Sequence, residues 1–235
     1  MSLRIKSLIS KIPFFLLWLA ILFVVGCLVK VAVWENIYYH EKEGSKRYPA
    51  VEVGIGAPDQ EEVDETEITS DQITAHNVAP DKPRYLMASF MTKKVTTARI
   101  REVGLTPSGA MATLASIFDV AWYNNSSKPG NGGVLLMNGH NGGPNKDGVF
   151  KNLDQAKVGD IVSIERGDGV LFHYEVFENK IMTISEANDY MATMQKTHKS
   201  GKETLALISC TGEWSQSRRT FLSRAMVRAV LVDSI

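Results

Sequence analysis

The chain has 235 residues, and its 26 basic side chains balance its 26 acidic ones, so the formal net charge is zero. This balance excludes a strongly basic nucleic-acid-binding protein, and no nucleic acid is expected as a partner. The two cysteines, Cys27 and Cys210, are separated by most of the chain, and Cys27 lies inside an apolar segment. A disulfide framework is therefore excluded, and Cys210 is expected to carry a thiol.

The N-terminal region is typical of a membrane anchor. Residues 12–29 contain no charged side chain, and as a helix they would span about 27 Å, close to the hydrocarbon thickness of a bilayer. Three basic residues precede this segment, which predicts that the N-terminus is cytoplasmic and the remainder is outside. We therefore expect a cytoplasmic segment at 1–11, a transmembrane helix at 12–34 and a single-pass type II protein of the cell membrane, in contact with lipid.

Two alternatives to an anchor remain open. A cleaved secretory signal would usually have a shorter apolar core, of about 7 to 15 residues. The sequence around Cys27 also resembles a lipoprotein processing site, although the apolar run continues past it. Both alternatives leave the C-terminal part of the chain outside the membrane.

The segment that follows is acidic. Residues 41–80 contain ten acidic and three basic side chains, and this excess predicts an extended, solvated stalk over 35–80. From residue 81 onward there are 19 basic and 15 acidic residues, so the region 81–235 is nearly balanced and long enough for one domain.

Alternating or continuous apolar runs separated by turn formers predict a domain made mainly of short strands. Apolar residues spaced by three and four predict a helix over 111–120, and a second helix is expected over 188–199 with Gly201 as its stop. Many strands with so few helices indicate a β-barrel or sandwich. The strands expected are 83–90, 95–103, 134–137, 158–165, 170–177, 204–210 and 224–232, with loops at 124–133 and 211–220.

Three residues suggest acyl-transfer chemistry. Cys210 follows Ser209 at the end of an apolar run, His140 lies in a glycine-flanked turn, and Arg224 lies in the last strand. A thiol can act as the nucleophile, an imidazole as the general acid and base, and a guanidinium can stabilise an oxyanion or position the substrate. Arg228 is an open alternative to Arg224, because strand alternation puts both on the same face.

The chain order of these residues narrows the class of cysteine enzyme to which the chain could belong. His140 precedes Cys210 by 70 residues, whereas papain-type peptidases have the cysteine first, and the local caspase signature is absent. A cysteine buried in an apolar strand is often only a core residue, so the interpretation depends on all three residues together.

These residues resemble the catalytic set of the sortase family. The resemblance covers about 81–235, and the cysteine motif departs from the usual Thr-Leu-X-Thr-Cys because Ala206 and Ser209 replace its two threonines. The matching pieces are Trp122-Tyr123, Pro129-Gly130 and Gly133, Asn138-Gly-His140, Phe150 and Leu153, Gly159-Asp160, Leu207-Ile-Ser-Cys210, and the arginine-containing last strand.

The resemblance implies an eight-stranded sortase-type β-barrel with a few short helices, in which Cys210 ends the seventh strand and Arg224 lies in the eighth. It also implies that residues 183–202 recognise the substrate. Further candidate substrate contacts on this basis are Ser209, Tyr190, Met191 and Trp214.

The function implied is that of a membrane-anchored cysteine transpeptidase. It would cleave a C-terminal sorting signal resembling Leu-Pro-X-Thr-Gly on secreted proteins and transfer the acyl fragment to an amine of a peptidoglycan precursor or a pilin lysine. Two alternatives are a membrane-tethered cysteine peptidase that hydrolyses its substrate and a non-catalytic surface assembly module. No cofactor is expected, and no obligatory metal, since Glu165, Glu175 and Glu178 lack ligand spacing, although some related sortases use calcium.

Overall fold

A computed structural model describes residues 63–90 and 97–235, together with Lys30. Within these residues the chain forms one closed barrel of eight strands, so the expected β-barrel is confirmed. The strands pair in the order β1-β2-β3-β4-β7-β8-β6-β5, and β5 closes the barrel on β1. The strands are β1 (Pro83–Ala88), β2 (Ala98–Val103), β3 (Val120–Tyr123), β4 (Val134–Gly139), β5 (Ile161–Arg166), β6 (Leu171–Thr183), β7 (Thr204–Ser215) and β8 (Thr220–Ser234).

Two of the pairings are parallel and the rest are antiparallel. Strand β2 pairs with β3, and β4 pairs with β7, in the parallel sense. Parallel neighbours require a long crossover between them, and the crossovers bring irregular segments back across the outside of the barrel. The crossover between β2 and β3, residues 104–119, is the one that reaches the site described below.

Strand alternation divides the apolar residues into an inner and an outer set. Leu205 and Leu207 of β7 belong to the inner core with Ala225 and Val227 of β8. The residues between them in sequence face the other way and form a second cluster outside the barrel. This outer cluster comprises Val103, Met111, Ala121, Leu136, Ala187, Met191, Met194, Ala206, Ile208, Cys210 and Met226.

Three short helices accompany the barrel within residues 63–90 and 97–235. Helix α1 (Ser70–Thr74) precedes β1, a 3-10 helix (Leu153–Gln155) follows β4, and helix α2 (Ile184–Met194) follows β6. A capping box begins α2, in which Thr183 and Glu186 satisfy each other's backbone N–H groups. Helix α2 then packs its apolar side on the outer face of the sheet, where it contributes Ala187, Met191 and Met194 to the outer cluster.

The expected helix over 111–120 is wrong. Met111 instead forms an antiparallel bridge with Leu105, Ser116 forms a parallel bridge with Asp64, and Val120 begins β3. The apolar residues of this segment are buried at different places, Met111 in the outer cluster and Val120 in the inner core. Their helix-like spacing therefore reflects separate burial sites and not one face of a helix.

The bounds of several other elements also differ from those expected. Helix α2 ends at Met194 and begins four residues before Asn188, because the capping box at Thr183 fixes its start. The stretch 211–220 is not a loop, since β7 runs to Ser215 and β8 begins at Thr220. Cys210 therefore does not end β7, although a register shift follows it between Thr211 and Trp214.

The described part of the predicted stalk is not a solvated extension. Residues 63–80 carry α1, a bridge from Asp64 and a hydrogen bond between His76 Nε2 and the carbonyl oxygen of Ile100. Acidic composition did not prevent this packing, because Glu65 is matched by donors from a loop of the barrel.

The predicted membrane segment, residues 12–34, lies outside the described residues apart from Lys30, as does the whole of the segment 35–62. Among the residues that the structure describes, no helix is long and apolar enough to cross a bilayer.

Candidate active site

His140, Cys210 and Arg224 lie side by side across three neighbouring strands. Cys210 on β7 is the direct register partner of Arg224 on β8. In the parallel pair, Asn138 of β4 is level with Ile208 of β7. His140 directly follows the end of β4 at Gly139, and continuing this register by two residues brings it level with Cys210. The interval of 70 residues between His140 and Cys210 equals the offset between paired residues of β4 and β7. The interval of 14 residues between Cys210 and Arg224 separates two residues that face each other across the β7–β8 hairpin.

The three side chains share the outer face of the sheet. Cys210 belongs to the outer cluster, and alternation puts residues level with it on the same face. All three are almost completely buried: their exposed fractions are 7% for His140, 4% for Cys210 and 2% for Arg224.

Two hydrogen bonds tie the backbone around His140 to Ser209 and Cys210 of β7. The side-chain amide of Asn141 donates from Nδ2 to the carbonyl oxygen of Cys210 at 2.9 Å. On the other side of His140, the hydroxyl of Ser209 donates to the carbonyl oxygen of Gly139 at 3.0 Å. The backbone at His140 is thus held to β7 through the residues before and after it.

The imidazole of His140 is oriented by the crossover between β2 and β3. Its Nε2 lies 2.6 Å from the carbonyl oxygen of Leu114, which can only accept, so Nε2 carries the hydrogen. In the neutral ring, Nδ1 is then the nitrogen that can take up a proton. Burial lowers the pKa of His140, and the hydrogen bond to Leu114 opposes part of that effect.

Burial also governs the protonation of the thiol. It raises the pKa of Cys210 to about 11, while the positive charge of Arg224 acts in the opposite direction. Because the pKa of His140 is lowered and that of Cys210 is raised, the neutral thiol and neutral imidazole predominate around pH 7 to 8.

Arg224 is held in place by the hairpin that joins β7 and β8. Its Nη1 donates to the carbonyl oxygens of Phe221 and Ser223 at 2.8 and 3.0 Å, and its Nη2 donates to Oγ1 of Thr220 at 3.3 Å. Burial lowers the pKa of Arg224, with Cys210 opposing this. A guanidinium remains protonated under such conditions, since its ordinary pKa exceeds 12.

The alternative arginine, Arg228, has a different environment. It is the register partner of Ala206, four residues before Cys210 on β7. Its Nη1 forms an ion pair with Glu178 at 3.2 Å, its Nη2 donates to the carbonyl oxygen of Lys196 at 2.7 Å, and its guanidinium covers the ring of Phe177. Arg228 therefore joins the loop after α2 to β6, whereas Arg224 lies beside the thiol as the register partner of Cys210.

The four candidate substrate contacts lie at different places. Met191 is buried in the outer cluster with Cys210, and Tyr190 packs against that cluster while its hydroxyl donates to Glu178. Trp214 lies beyond the register shift of β7, half-exposed, with its ring edge-on to Phe221. Ser209 is fully buried on the opposite face from Cys210, and its hydroxyl is used by Gly139, so it is a link between strands.

Sequence reasoning missed three parts of the site. The position of Asn141 directly after His140 could have marked it as a candidate, but the local sequence does not indicate that its amide reaches Cys210. The contact of Leu114 is made by its backbone carbonyl group, so its residue type could not have indicated it. Met182 is the register partner of Arg224 on β6, and it extends the row of side chains to a fourth strand.

No group of three or more His, Cys, Asp or Glu side chains that could hold a metal occurs in the part of the chain that the structure describes. Two of the glutamates considered from sequence have cationic partners, since Glu165 pairs with Arg84 and Glu178 pairs with Lys180 and Arg228.

Comparison with known proteins agrees with this geometry. The model of the sortase domain matches residues 94–232, which is more than half of the chain. The chain therefore belongs to the sortase family and is a cysteine transpeptidase of that family. No curated protein sequence matches the chain at a significant level.

Solved sortase structures are similar to the chain at low sequence identity. The pilus-related sortase C of group B Streptococcus is 17% identical, with a TM-score of 0.48 over 85% of this chain and 91% of that one. The SrtA sortase from Actinomyces oris is 13% identical, with a TM-score of 0.48 over 75% and 91%. A lid mutant of sortase A from Corynebacterium diphtheriae is 22% identical, with a TM-score of 0.45 over 69% and 76%.

Proposed function

We propose that this sortase cleaves a C-terminal sorting signal resembling Leu-Pro-X-Thr-Gly through an acyl-enzyme on Cys210 and transfers the acyl group to an amine. The observation that supports the proposal is that Cys210 and Arg224 are cross-strand partners on β7 and β8, while His140 directly follows the neighbouring strand β4. A nucleophile, a proton carrier and a cation are the groups that acyl transfer requires.

The first half of the reaction follows from the roles of the three side chains. The thiolate of Cys210 attacks the carbonyl carbon of the scissile peptide bond, and the carbonyl oxygen takes the negative charge. Arg224 donates to that oxyanion after exchanging its present carbonyl partners, Phe221 and Ser223. His140 in its protonated form gives its proton to the departing amine, which leaves a thioester on Cys210.

The second half reverses these roles. An incoming amine attacks the thioester carbon, neutral His140 accepts a proton from that amine, and the thiolate of Cys210 departs. The products are a new amide bond and the starting thiolate–imidazolium pair. The acceptor amine is that of a peptidoglycan precursor or of a pilin lysine.

Side chains beside the row supply an apolar contact for the signal. Met182 of β6 is level with Arg224, and Ala187 and Met191 of α2 belong to the cluster that contains Cys210. An apolar side chain of the sorting signal would bind here, with Tyr190 at the margin. Trp214 on the opposite side of Cys210 along β7 is the candidate contact for the acceptor.

The location proposed is the outer face of the cell membrane. Residues 12–34 would anchor the chain in lipid as a type II protein, and the catalytic domain would meet secreted substrates there. The basis for this is the apolar run and the basic residues before it.

The experiment is a ligation assay with the full-length chain in detergent. A labelled peptide carrying the signal is incubated with and without an amine acceptor, and the products are identified by mass. The expected result is a ligated product that appears only with the acceptor and disappears in Cys210→Ala. Hydrolysis alone, unchanged by any amine, would overturn transfer in favour of a peptidase, and retained ligation in Cys210→Ala would overturn the nucleophile.

A further inference from the structure

Glu65, in the segment that precedes the barrel, is inserted into the loop that follows His140. Its Oε1 accepts from the backbone N–H groups of Asn145 and Lys146 at 2.7 and 3.0 Å, and its Oε2 accepts from Nδ2 of Asn145 at 3.0 Å. Lys146 returns a hydrogen bond from Nζ to the carbonyl oxygen of Glu65 at 3.1 Å. Four hydrogen bonds therefore join one glutamate to two consecutive loop residues.

The loop has the shape that this glutamate requires. A Cβ atom added at Gly143 would collide with Oε1 of Glu65, and one added at Gly148 would collide with the carbonyl oxygen of His140. The loop thus needs its glycines for two close approaches, one to Glu65 and one to the backbone of His140. The hydrogen bonds from Asn145 lower the pKa of Glu65, so its carboxylate is ionised around neutral pH.

Asp64, the residue before Glu65, binds the crossover between β2 and β3, which orients the ring of His140. The N–H of Asp64 donates to the carbonyl oxygen of Ala115 at 2.8 Å, and the N–H of Ile117 donates to the carbonyl oxygen of Asp64 at 3.1 Å. This bridge lies one residue from Leu114, whose carbonyl oxygen orients the imidazole of His140.

The loop 141–150 and the crossover around 114–117 also contact each other. Val149 donates from its N–H to the carbonyl oxygen of Ile117 at 2.8 Å, and Phe150 donates to the carbonyl oxygen of His140 at 3.0 Å. The segment 63–67, the crossover around 114–117 and the loop 141–150 form one hydrogen-bonded unit around His140.

We propose that residues 63–67 are a strap that positions His140, with Glu65 as its positioning residue. The strap holds the loop that carries the backbone of His140 and the crossover that orients its ring. This inference rests on the proposed role of His140 as the acid and base, and it assigns a catalytic consequence to the segment that joins the domain to the N-terminal region.

The test compares Glu65→Ala with Glu67→Ala in the full-length chain. Glu67 is a matched control, because it has the same charge in the same segment but pairs only at the surface with Nζ of Lys146. In Glu65→Ala we expect kcat for transpeptidation to fall about tenfold or more with KM within about twofold, because a misplaced proton carrier affects the chemical step. Glu67→Ala should change both constants less than about twofold.

Two further measurements separate positioning from loss of folding. Hydrogen exchange at the amides of Asn145, Lys146 and Phe150 should accelerate in Glu65→Ala and not in Glu67→Ala, while the amides of β7 remain protected. Glu65→Gln should recover part of kcat, since an amide oxygen can still accept from both loop N–H groups.

A double-mutant cycle with Gly143→Ala gives a geometric check. An added methyl group displaces Glu65, so Gly143→Ala should lower kcat in the wild-type chain and have little further effect in Glu65→Ala. Additive losses would overturn the proposal, as would an unchanged kcat in Glu65→Ala whose loop amides exchange faster. The exchange measurement does not need a substrate, so an unchanged exchange rate would refute the strap separately from any failure of the ligation assay.

Discussion

Cys210 and Arg224 are cross-strand partners on β7 and β8, and together they are among the most buried polar side chains of the domain. Burial raises the pKa of the Cys210 thiol, and it also excludes solvent from around the guanidinium of Arg224. A charge has a larger effect at such a site than at the surface, because the surrounding protein screens it less than water does. This pair is the basis of the first two predictions.

Replacing Arg224 by Met should lower kcat/KM for the sorting peptide by about 100-fold or more, the usual loss when one oxyanion donor is removed. Arg224→Lys should recover little of the loss, since an ammonium lacks the planar fork of the guanidinium. Arg218→Met changes an exposed arginine of the same hairpin and serves as the control. Steady-state kinetics checks this, and equal losses in Arg224→Met and Arg218→Met would contradict the assignment.

Alkylation of Cys210 by iodoacetamide should be slow at pH 8 and should accelerate up to a pH near 11. The reactive form is the thiolate, and burial raises the pKa of this thiol to about 11. In Arg224→Met the pKa should rise further, because the positive charge that favours the thiolate is gone, and the rate at pH 8 should fall. Mass spectrometry of the modified peptide measures the rate, and a midpoint at or below pH 8.5 would contradict the burial argument.

The pH profile of kcat/KM should have two limbs. The active pair is a thiolate with a protonated imidazole, so activity falls below the lowered pKa of His140 and again above the raised pKa of Cys210. The plateau between the limbs should be broad. Over this pH range only a small fraction of the enzyme carries the thiolate and the protonated imidazole together, and the rate is proportional to that fraction. Initial rates from pH 5 to about pH 12 test this, because the upper limb is expected near the raised pKa of Cys210 of about 11, and a maximum narrower than about two pH units would contradict it.

Glu178→Gln should destabilise the domain by about 3 kcal/mol, because it leaves Arg228 buried without its anionic partner. Burial acts to raise the pKa of Glu178, but the hydrogen bonds from Lys180, Tyr190 and Arg228 together outweigh it, so the net pKa is lowered. The ionised form is therefore the stabilising one, and its contribution is lost as the pH falls below the ordinary value of 4.5. Urea unfolding at pH 7 and pH 3.5 should show a large difference from wild type at the first pH and a smaller one at the second.

Glu175→Gln is the control for this change, since Glu175 lies exposed on the same strand. An unfolding free energy for Glu178→Gln within about 0.5 kcal/mol of the control would show that Arg228 does not depend on the ion pair.

Asn141→Ala should lower kcat several-fold with a modest loss of stability, about 1 kcal/mol for one buried hydrogen bond. The amide of Asn141 holds the backbone of Cys210, and its removal loosens the link between the nucleophile and the end of β4. Asn152→Ala, which removes an acceptor for Gln155 in the following 3-10 helix, is the control. Similar kcat values for the two variants would contradict this role of Asn141.

Much of the fold could be predicted from alternation, because each strand of the barrel presents one face to the inner core. The run 158–165 is an example, and most of it lies within β5. The runs 204–210 and 224–232 are predicted from continuous apolar composition, and both lie within observed strands that are buried on both faces over most of these runs. The segment 111–120 could not be predicted in this way, since Met111 and Val120 are buried in different clusters that only the folded chain creates. The start of α2 was missed for another reason, because its capping box lies before the apolar residues that indicated a helix.

The sequence by itself determined the types of the candidate catalytic residues and their chain order, and it placed Arg224 and Arg228 on one face of the last strand. A period of two is a local property, so it could put Arg224 and Arg228 on one face but could not choose between them. The tertiary structure decided that Arg224 adjoins Cys210, that Arg228 is paired with Glu178, and that Glu65 enters the loop after His140. Such choices depend on strand register and burial, which arise from contacts between residues far apart in the chain.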